Sequence, residues 1–176
     1  ITNILEVLEA KELLYLLNSC PSILASGKAK EIIDIVKVLK DRNLLYLLKS
    51  CPYILASSKA KKIINIIETL EKNNLLHLLE LCPLILASGT VKEITDIIKV
   101  LKERNLLNLL KSCPYILARG KAKEIIDIVK VLKDRNLLNL LKSCSYILAS
   151  GKAKEITSII ETLEKNNLLH LLKLCP

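Results

Sequence analysis

Residues 20–50 read CPSILASGKAKEIIDIVKVLKDRNLLYLLKS, and residues 51–81 read CPYILASSKAKKIINIIETLEKNNLLHLLEL. The two align without a gap, and three more copies occur at 82–112, 113–143 and 144–174. Residues 1–19 match the tail of an earlier copy, and 175–176 match the opening of a later one. A fixed period of this length over the whole of 1–176 marks a single repeat array, in which each unit buries its apolar face by stacking on its neighbours. A slower period of three repeats is superimposed, since EKNNLLHLL at 71–79 returns at 164–172.

Within one copy the apolar residues Ala29, Ile32, Ile33, Val36 and Leu39 fall at helical spacing, and Ile35 and Val38 widen the stripe. On the opposite stripe, Lys30, Asp34, Lys37 and Asp41 are spaced for pairing along a solvated face. Ser26-Gly27, or Ser57-Ser58 one repeat later, reads as the cap of this long helix. Asn43 then reads as the N-cap of a second, shorter helix over 44–50, with Leu44, Leu45, Leu47, Leu48 and Cys51 turned inward. Pro52 cannot continue that helix but suits the first turn of another, so Pro-Tyr-Ile-Leu predicts one brief, 3₁₀-like turn. The expected fold is all-α: a right-handed type of α-solenoid built from long helix, short helix and short turn.

Half of the chain is hydrophobic, 51%, yet only 3% is aromatic, and there is no Phe or Trp. The core must therefore be made of Leu, Ile, Val and Ala. No apolar run approaches the ~18 residues of a membrane span, so no membrane association is expected. The chain opens in mid-pattern at Ile1 without a Met, which reads as a piece of a longer protein with uncapped, apolar ends open to end-to-end self-association.

Cys20, Cys51, Cys82, Cys113, Cys144 and Cys175 occupy the same place in successive copies. Equivalent atoms of stacked helices lie roughly 8–10 Å apart, beyond the ~7 Å that a disulfide bridges between Cα atoms. The expectation is a row of small buried thiols, reduced, in an intracellular compartment. No pair has the short spacing of a zinc site, so no metal or cofactor is expected. His77 and His170 lie three repeats apart with no carboxylate at ligand spacing, and no nucleophile–base set or phosphate-binding glycine loop is present. Nothing here predicts an enzyme.

The phrase LLKSCPYILA at 109–118 and its copies, with a proline opening a turn after a Leu-rich helix, resembles the repeat of the mitochondrial transcription termination factor (mTERF) family. That resemblance covers nearly every residue and implies helix, helix and 3₁₀ turn in each unit, assembled into a superhelix that binds nucleic acid, often double-stranded DNA. The glycine common after the long helix in that family is replaced here by Arg-Asn or Asn-Asn. Ser26-Gly27-Lys28-Ala29 is also similar, more weakly, to the opening of the long helix in transcription activator-like effector repeats, where backbone amides and a lysine hold DNA phosphate.

The residues at the start of the long helix run against ordinary helix electrostatics. The partial positive charge at a helix N-terminus favours acidic side chains by ~0.3–1 kcal/mol each, yet four units place two lysines there: Lys28/Lys30, Lys59/Lys61, Lys121/Lys123 and Lys152/Lys154. The third unit has Thr90 and Lys92, and Arg119 stands where other copies have Ser. Free N–H groups and lysines together make an anion site, so these ten cations are the expected phosphate contacts. Base or partner reading is expected from the outward site of the short helix, which varies as Tyr15, Tyr46, His77, Asn108, Asn139 and His170. A second variable site lies just after the proline at Ser22, Tyr53, Leu84, Tyr115 and Tyr146.

With a net charge of +9, the expected function is a modular nucleic-acid-binding domain, with duplex DNA as the first candidate. The alternatives are a protein–protein interaction scaffold and a designed or consensus repeat.

Overall fold

A computed structural model describes residues 2–25, 28–57 and 59–173. The regular elements of the described residues are all helices, with no strand. The five long helices are Ala29–Asp41, Ala60–Lys72, Val91–Glu103, Ala122–Asp134 and Ala153–Lys165, each starting 31 residues after the last. Thr2–Glu9 is the shortened counterpart at the beginning of the chain.

The link from each long helix to the short one departs from the expected cap. Asn43 does not start the short helix; it ends the long one. Its φ is +56°, in the left-handed region, and Asn74, Asn105, Asn136 and Asn167 repeat this at +54° to +58°. The amide of Leu44 reaches back five residues to the Leu39 carbonyl at 2.7 Å, and that of Asn43 reaches Lys40 at 3.0 Å. These two bonds form the Schellman motif, which closes a helix through one left-handed residue and packs the apolar residue after it against the last turn. Leu39 and Leu44 are that apolar pair, both buried. Asparagine tolerates the left-handed region far better than most L-residues, so it can stand where a glycine would be expected.

The short helix is correspondingly shorter than 44–50. It covers Leu47–Ser50 only, entered through i→i−3 bonds from Leu47 to Leu44 and from Leu48 to Leu45, both 3.1 Å. Leu44, Leu47, Leu48 and Cys51 are buried as expected, whereas Leu45 is half-buried. The third element, expected to be 3₁₀-like, is a single α-helical turn of four or five residues: Ser22–Ala25, Tyr53–Ser57, Leu84–Ser88, Tyr115–Ala118 and Tyr146–Ser150. 3₁₀ character marks its opening, where Ile54 bonds to Cys51 and Leu55 to Pro52, and in the copy Tyr146–Ser150 also its end, where Gly151 bonds to Leu148. Pro83 and Pro114 sit at its N-cap with φ of −59° and −65°, values the pyrrolidine ring imposes anyway, and Ser145 takes the same position with φ −64°.

The chain divides into two compact units, 1–91 and 92–176. In the first, Thr2–Glu9 packs on Ala29–Asp41, which packs on Ala60–Lys72; the turns Ser22–Ala25, Tyr53–Ser57 and Leu84–Ser88 stack in the same order. In the second, Ala122–Asp134 packs on Ala153–Lys165 and Tyr115–Ala118 on Tyr146–Ser150. Neighbouring helices in series, each covering the apolar stripe of the one before, define an α-solenoid type of packing. Ile32, Ile35, Val36 and Leu39, with their counterparts in later repeats up to Leu132, are at most 3% exposed.

Cys20, Cys51, Cys82 and Cys113 are buried, Cys144 is half-buried, and these five are free thiols; Cys175 lies outside the described residues. Burial pushes the Cys51 and Cys113 thiols up in pKa, against the opposing effect of the backbone N–H of Ile54 or Ile116. The raised value means that the fold favours the protonated form, so this contribution holds below the ordinary thiol range and is lost as pH rises through the raised value.

Alkylation with iodoacetamide at neutral pH should label Cys51 and Cys113 slowly in the native chain and at the free-thiol rate in urea; equal rates in both would contradict their burial. Glu12 occupies the left-handed position, at φ +56°, in place of asparagine. Glu12→Asn should therefore raise stability by about 0.5–1 kcal/mol in urea unfolding, and a decrease would count against the Schellman ending.

Candidate nucleic-acid interface

The lysines sit closer to the helix start than expected. Lys28, Lys59, Lys121 and Lys152 are themselves the N-cap residues, with no side-chain capping bond of their own. Lys30, Lys61, Lys92, Lys123 and Lys154 are the second residues of their helices. These nine lysines and Arg119 are exposed. The expected serine caps at Ser26-Gly27 and Ser58 lie outside the described residues, as does the side chain of Ser57. Ser150 does approach the helix start, where its Oγ accepts a long 3.4 Å bond from the Lys152 amide.

The cap comes instead from the preceding repeat. Glu31 reaches across from the first turn of its own helix, and its Oε2 accepts the amide of Ala60 at 2.6 Å. Glu124 does the same for Ala153 at 3.2 Å. A carboxylate at a helix N-terminus satisfies an orphan donor and opposes the helix dipole. The two lysines beside each of these starts are therefore accompanied by an anion, which offsets the electrostatic cost of placing them there. It also means that the backbone donors at Ala60 and Ala153 already have a carboxylate, so an incoming phosphate would meet lysine side chains rather than those amides.

Sequence reasoning missed this contact because Glu31 looks like an ordinary first-turn acid of its own helix. A signal was present nonetheless. The position is Glu31, Glu93, Glu124 and Glu155 in four repeats but Lys62 in the other, and the next helix start after Lys62 has Thr90 instead of lysine. The two charges change together at one junction. Lys62 Nζ donates to the Ala87 carbonyl at 2.6 Å, and burial pushes its pKa down. Arg119 Nη1 donates to Ala149, the equivalent carbonyl two repeats on, also at 2.6 Å.

Glycine marks how closely the successive starts approach. Gly151 has φ +57°, and a Cβ there would lie 2.6 Å from Cδ of Lys121. Gly120 has φ +64°, and its Cβ would lie 2.6 Å from Oε2 of Glu93. In the second unit the starts of successive long helices thus run side by side, and in the first Glu31 reaches the start at Ala60. Across the five opening segments, 26–31, 57–62, 88–93, 119–124 and 150–155, eleven Lys or Arg stand against four Glu, so +7 of the chain's +9 belongs to these segments. Lys152 is partly neutralised within its own segment, where its Nζ pairs with Glu155 at 2.9 Å on an exposed face.

Two of the grooves between long helices are different in sign. One of about 500 Å³ between Ala29–Asp41 and Ala60–Lys72 is lined by Lys30, Lys37 and Lys61 against Glu31, Asp34 and Asp41. Its counterpart of about 420 Å³ in the second unit has Lys130 and Lys154 against Asp127, Asp134 and Glu161. Balanced or acidic linings do not attract a polyanion, whereas a third groove, between Thr2–Glu9 and Ala29–Asp41, has Lys11, Lys37 and Lys40 against Glu6 and Asp41.

Tyr15, Tyr46, His77, Asn108 and Asn139 each immediately precede their short helix, and all are exposed. His170 is exposed within the 3₁₀ helix Leu169–Lys173, its Nδ1 3.2 Å from the Asn167 carbonyl. The Tyr46 hydroxyl donates to Glu80 Oε1 at 3.2 Å; burial and this carboxylate together push the phenol up in pKa. The second variable site, Ser22, Tyr53, Leu84, Tyr115 and Tyr146, is also exposed. No described helix is long and apolar enough to cross a membrane, and the described residues contain no group of three or more His, Cys, Asp or Glu placed to hold a metal ion. No protein-family model, curated protein or solved structure matches the chain.

The cap across the junction can be tested directly. Glu124→Ala should cost about 1 kcal/mol in urea unfolding, within the usual range for loss of an N-cap. Glu155→Ala removes only an exposed pair with Lys152 and should change stability by a few tenths of a kcal/mol. Equal effects would mean that the bond to Ala153 contributes nothing special.

Proposed function

We propose that this chain is a non-enzymatic nucleic-acid-binding repeat domain that grips a phosphate backbone with the lysines along its helix-start edge. The observation that carries this reading is the assignment of +7 of the net +9 to the five opening segments, which adjoin one another within each unit. Duplex DNA presents one charge per ~1.7 Å of axis, and stacked helix starts recur at roughly 8–10 Å. Each repeat in a unit can therefore meet a phosphate of its own. The resemblance to the mTERF repeat favours double-stranded DNA among the nucleic acids, and the free buried thiols suit a reducing, intracellular setting. In this reading Lys28, Lys30, Lys59, Lys61, Lys92, Arg119, Lys121, Lys123, Lys152 and Lys154 make the backbone contacts. Tyr15, Tyr46, His77, Asn108, Asn139 and His170 are the candidates for base contacts, Tyr46 only after leaving Glu80.

A second reading, a protein-interaction scaffold, is favoured by the exposed aromatic side chains. Tyr53, Tyr115 and Tyr146 are 56%, 47% and 73% exposed, and tyrosine is enriched in protein interfaces.

Anisotropy titrations with duplex and single-stranded DNA and RNA at several salt concentrations separate these readings. About five phosphate contacts give a log–log salt slope near −4 to −5 on duplex DNA. Changing Lys28, Lys30, Lys59, Lys61, Lys121, Lys123, Lys152 and Lys154 together to Gln should remove most of the affinity and flatten the slope. Binding that is weak and salt-independent in the parent chain, or unaltered in the eightfold variant, would overturn the proposal.

A further inference from the structure

Four positions at the far end of the long helices carry opposite chemistry in the two units. In the first unit, two donors and two carboxylates satisfy one another. Arg42 Nε donates to Glu71 Oε1 and the Tyr46 hydroxyl to Glu80 Oε1, both at 3.2 Å. Glu71 lies 29 residues after its arginine, and Glu80 lies 34 residues after its tyrosine. The second unit repeats the first pairing at the same separation, from Arg135 to Glu164 at 3.1 Å. At the junction before that one, the same two separations lead from Arg104 to Lys133 and from Asn108 to Lys142. Lysine stands at both carboxylate positions. The long helices involved lie side by side, since a Cβ on Gly120 would be 2.6 Å from Oε2 of Glu93. Arg104 is half-buried like Arg42 and Arg135 but pairs with no acid among the described residues, while Asn108, Lys133 and Lys142 are exposed.

Segments 102–112 and 133–143 hold six Lys or Arg against two acids, Glu103 and Asp134, a net +4. The equivalent segments 40–50 and 71–81 hold four against three, Asp41, Glu71 and Glu80, a net +1. Glu103 and Asp134 are exposed and bond to none of the four groups. We propose that Arg104, Lys133 and Lys142 form a second phosphodiester seat, with the Asn108 amide beside it. Its position separates it from the lysines of the helix-start edge. The long helix Val91–Glu103 has 13 residues, and at 1.5 Å per residue its two ends are about 20 Å apart. An arginine whose partner position holds a lysine takes its anion from outside the fold. One carboxylate serves Arg42 or Arg135, whereas a guanidinium with five N–H donors and two ammoniums with three each call for several charged oxygens in a row. Successive phosphates of one strand supply them. The seat rests on the nucleic-acid reading above and adds to it a backbone contact beside the short-helix row. Phosphate contacts position a strand and base contacts specify it, so the seat would hold a strand where the Asn108 amide can meet a base edge.

Lys133→Glu with Lys142→Glu gives this junction the carboxylates of the first unit. Lys99→Glu with Lys130→Glu makes the same charge change on exposed mid-helix positions and serves as the control. Both are compared with the parent by anisotropy titration on duplex DNA at several salt concentrations, with far-UV circular dichroism confirming that helix content is retained. If the first variant does not fold, Lys133→Gln with Lys142→Gln replaces it. Each phosphate contact contributes about 0.9 to the log–log salt slope, so the seat variant should flatten the slope by about 2 and the control should leave it nearly unchanged. A seat variant that matches the control would overturn the seat, while loss of binding in the eightfold Gln variant would still support the edge. A parent chain that binds no nucleic acid would overturn both. Binding of polyglutamate in preference to DNA, abolished by the same two substitutions, would overturn the assignment of the seat to phosphodiesters.

Discussion

Each long helix ends at a residue held in the left-handed region, and the path of the rest of the repeat depends on that backbone setting. With Asn43 at φ +56°, the Leu44 amide bonds to Leu39 and the chain reverses immediately, which brings Leu44, Leu47 and Leu48 into the core that the long helix has begun. An ordinary residue there would cost roughly 1–2 kcal/mol; asparagine costs less, and it recurs at the same point in five repeats. Leu13, Leu75, Leu106, Leu137 and Leu168 make the same five-residue return bond, at 2.7–2.9 Å. The regularity of the packing is the regularity of this turn.

A second coupling works between repeats. Because Glu31 and Glu124 cap the helix that comes after their own, one repeat supplies part of the stability of the next. Apolar stacking alone would let any copy sit on any other. Where the glutamate is replaced by Lys62, the helix start one repeat on has Thr90 instead of lysine, so the two charges change together in the sequence. In a repeat array, where stability is approximately a sum of units and nearest-neighbour interfaces, such junction-specific pairs decide which neighbours belong together.

The same carboxylates reshape the electrostatic picture of the edge. Where they cap a helix start they occupy the backbone amide, so under the proposed function phosphate contacts would rest on long lysine side chains instead of a rigid amide cradle. Contacts of that kind position a nucleic acid without reading it. Any discrimination would fall to the short-helix row, and there Tyr46 is already engaged with Glu80 whereas Asn108 and Asn139 are simply exposed. The grooves beside Ala60 and Ala153, with their balanced or acidic linings, are solvated packing seams.

Much of this was legible in the residues. The period, the all-helical class, the long-helix stripe, the inward leucines and the buried thiols all arise from local pattern, because a helix must bury a stripe recurring every 3.6 residues whatever it packs against. Asn43 was legible as a boundary but not as the kind of boundary, since asparagine serves equally at helix N-caps and in left-handed endings, and only the return bond from Leu44 to Leu39 distinguishes them. The ten cations were legible as a set. Tertiary structure alone decided what stands beside them: Glu31 and Ala60 are 29 residues apart, and their 2.6 Å bond exists because stacking lays one helix start against the next. Sequence by itself determined the repeat and its apolar seams, which are local consequences of side-chain periodicity. Only the fold decided where the capping carboxylates lie, because that depends on which helix start is laid against which.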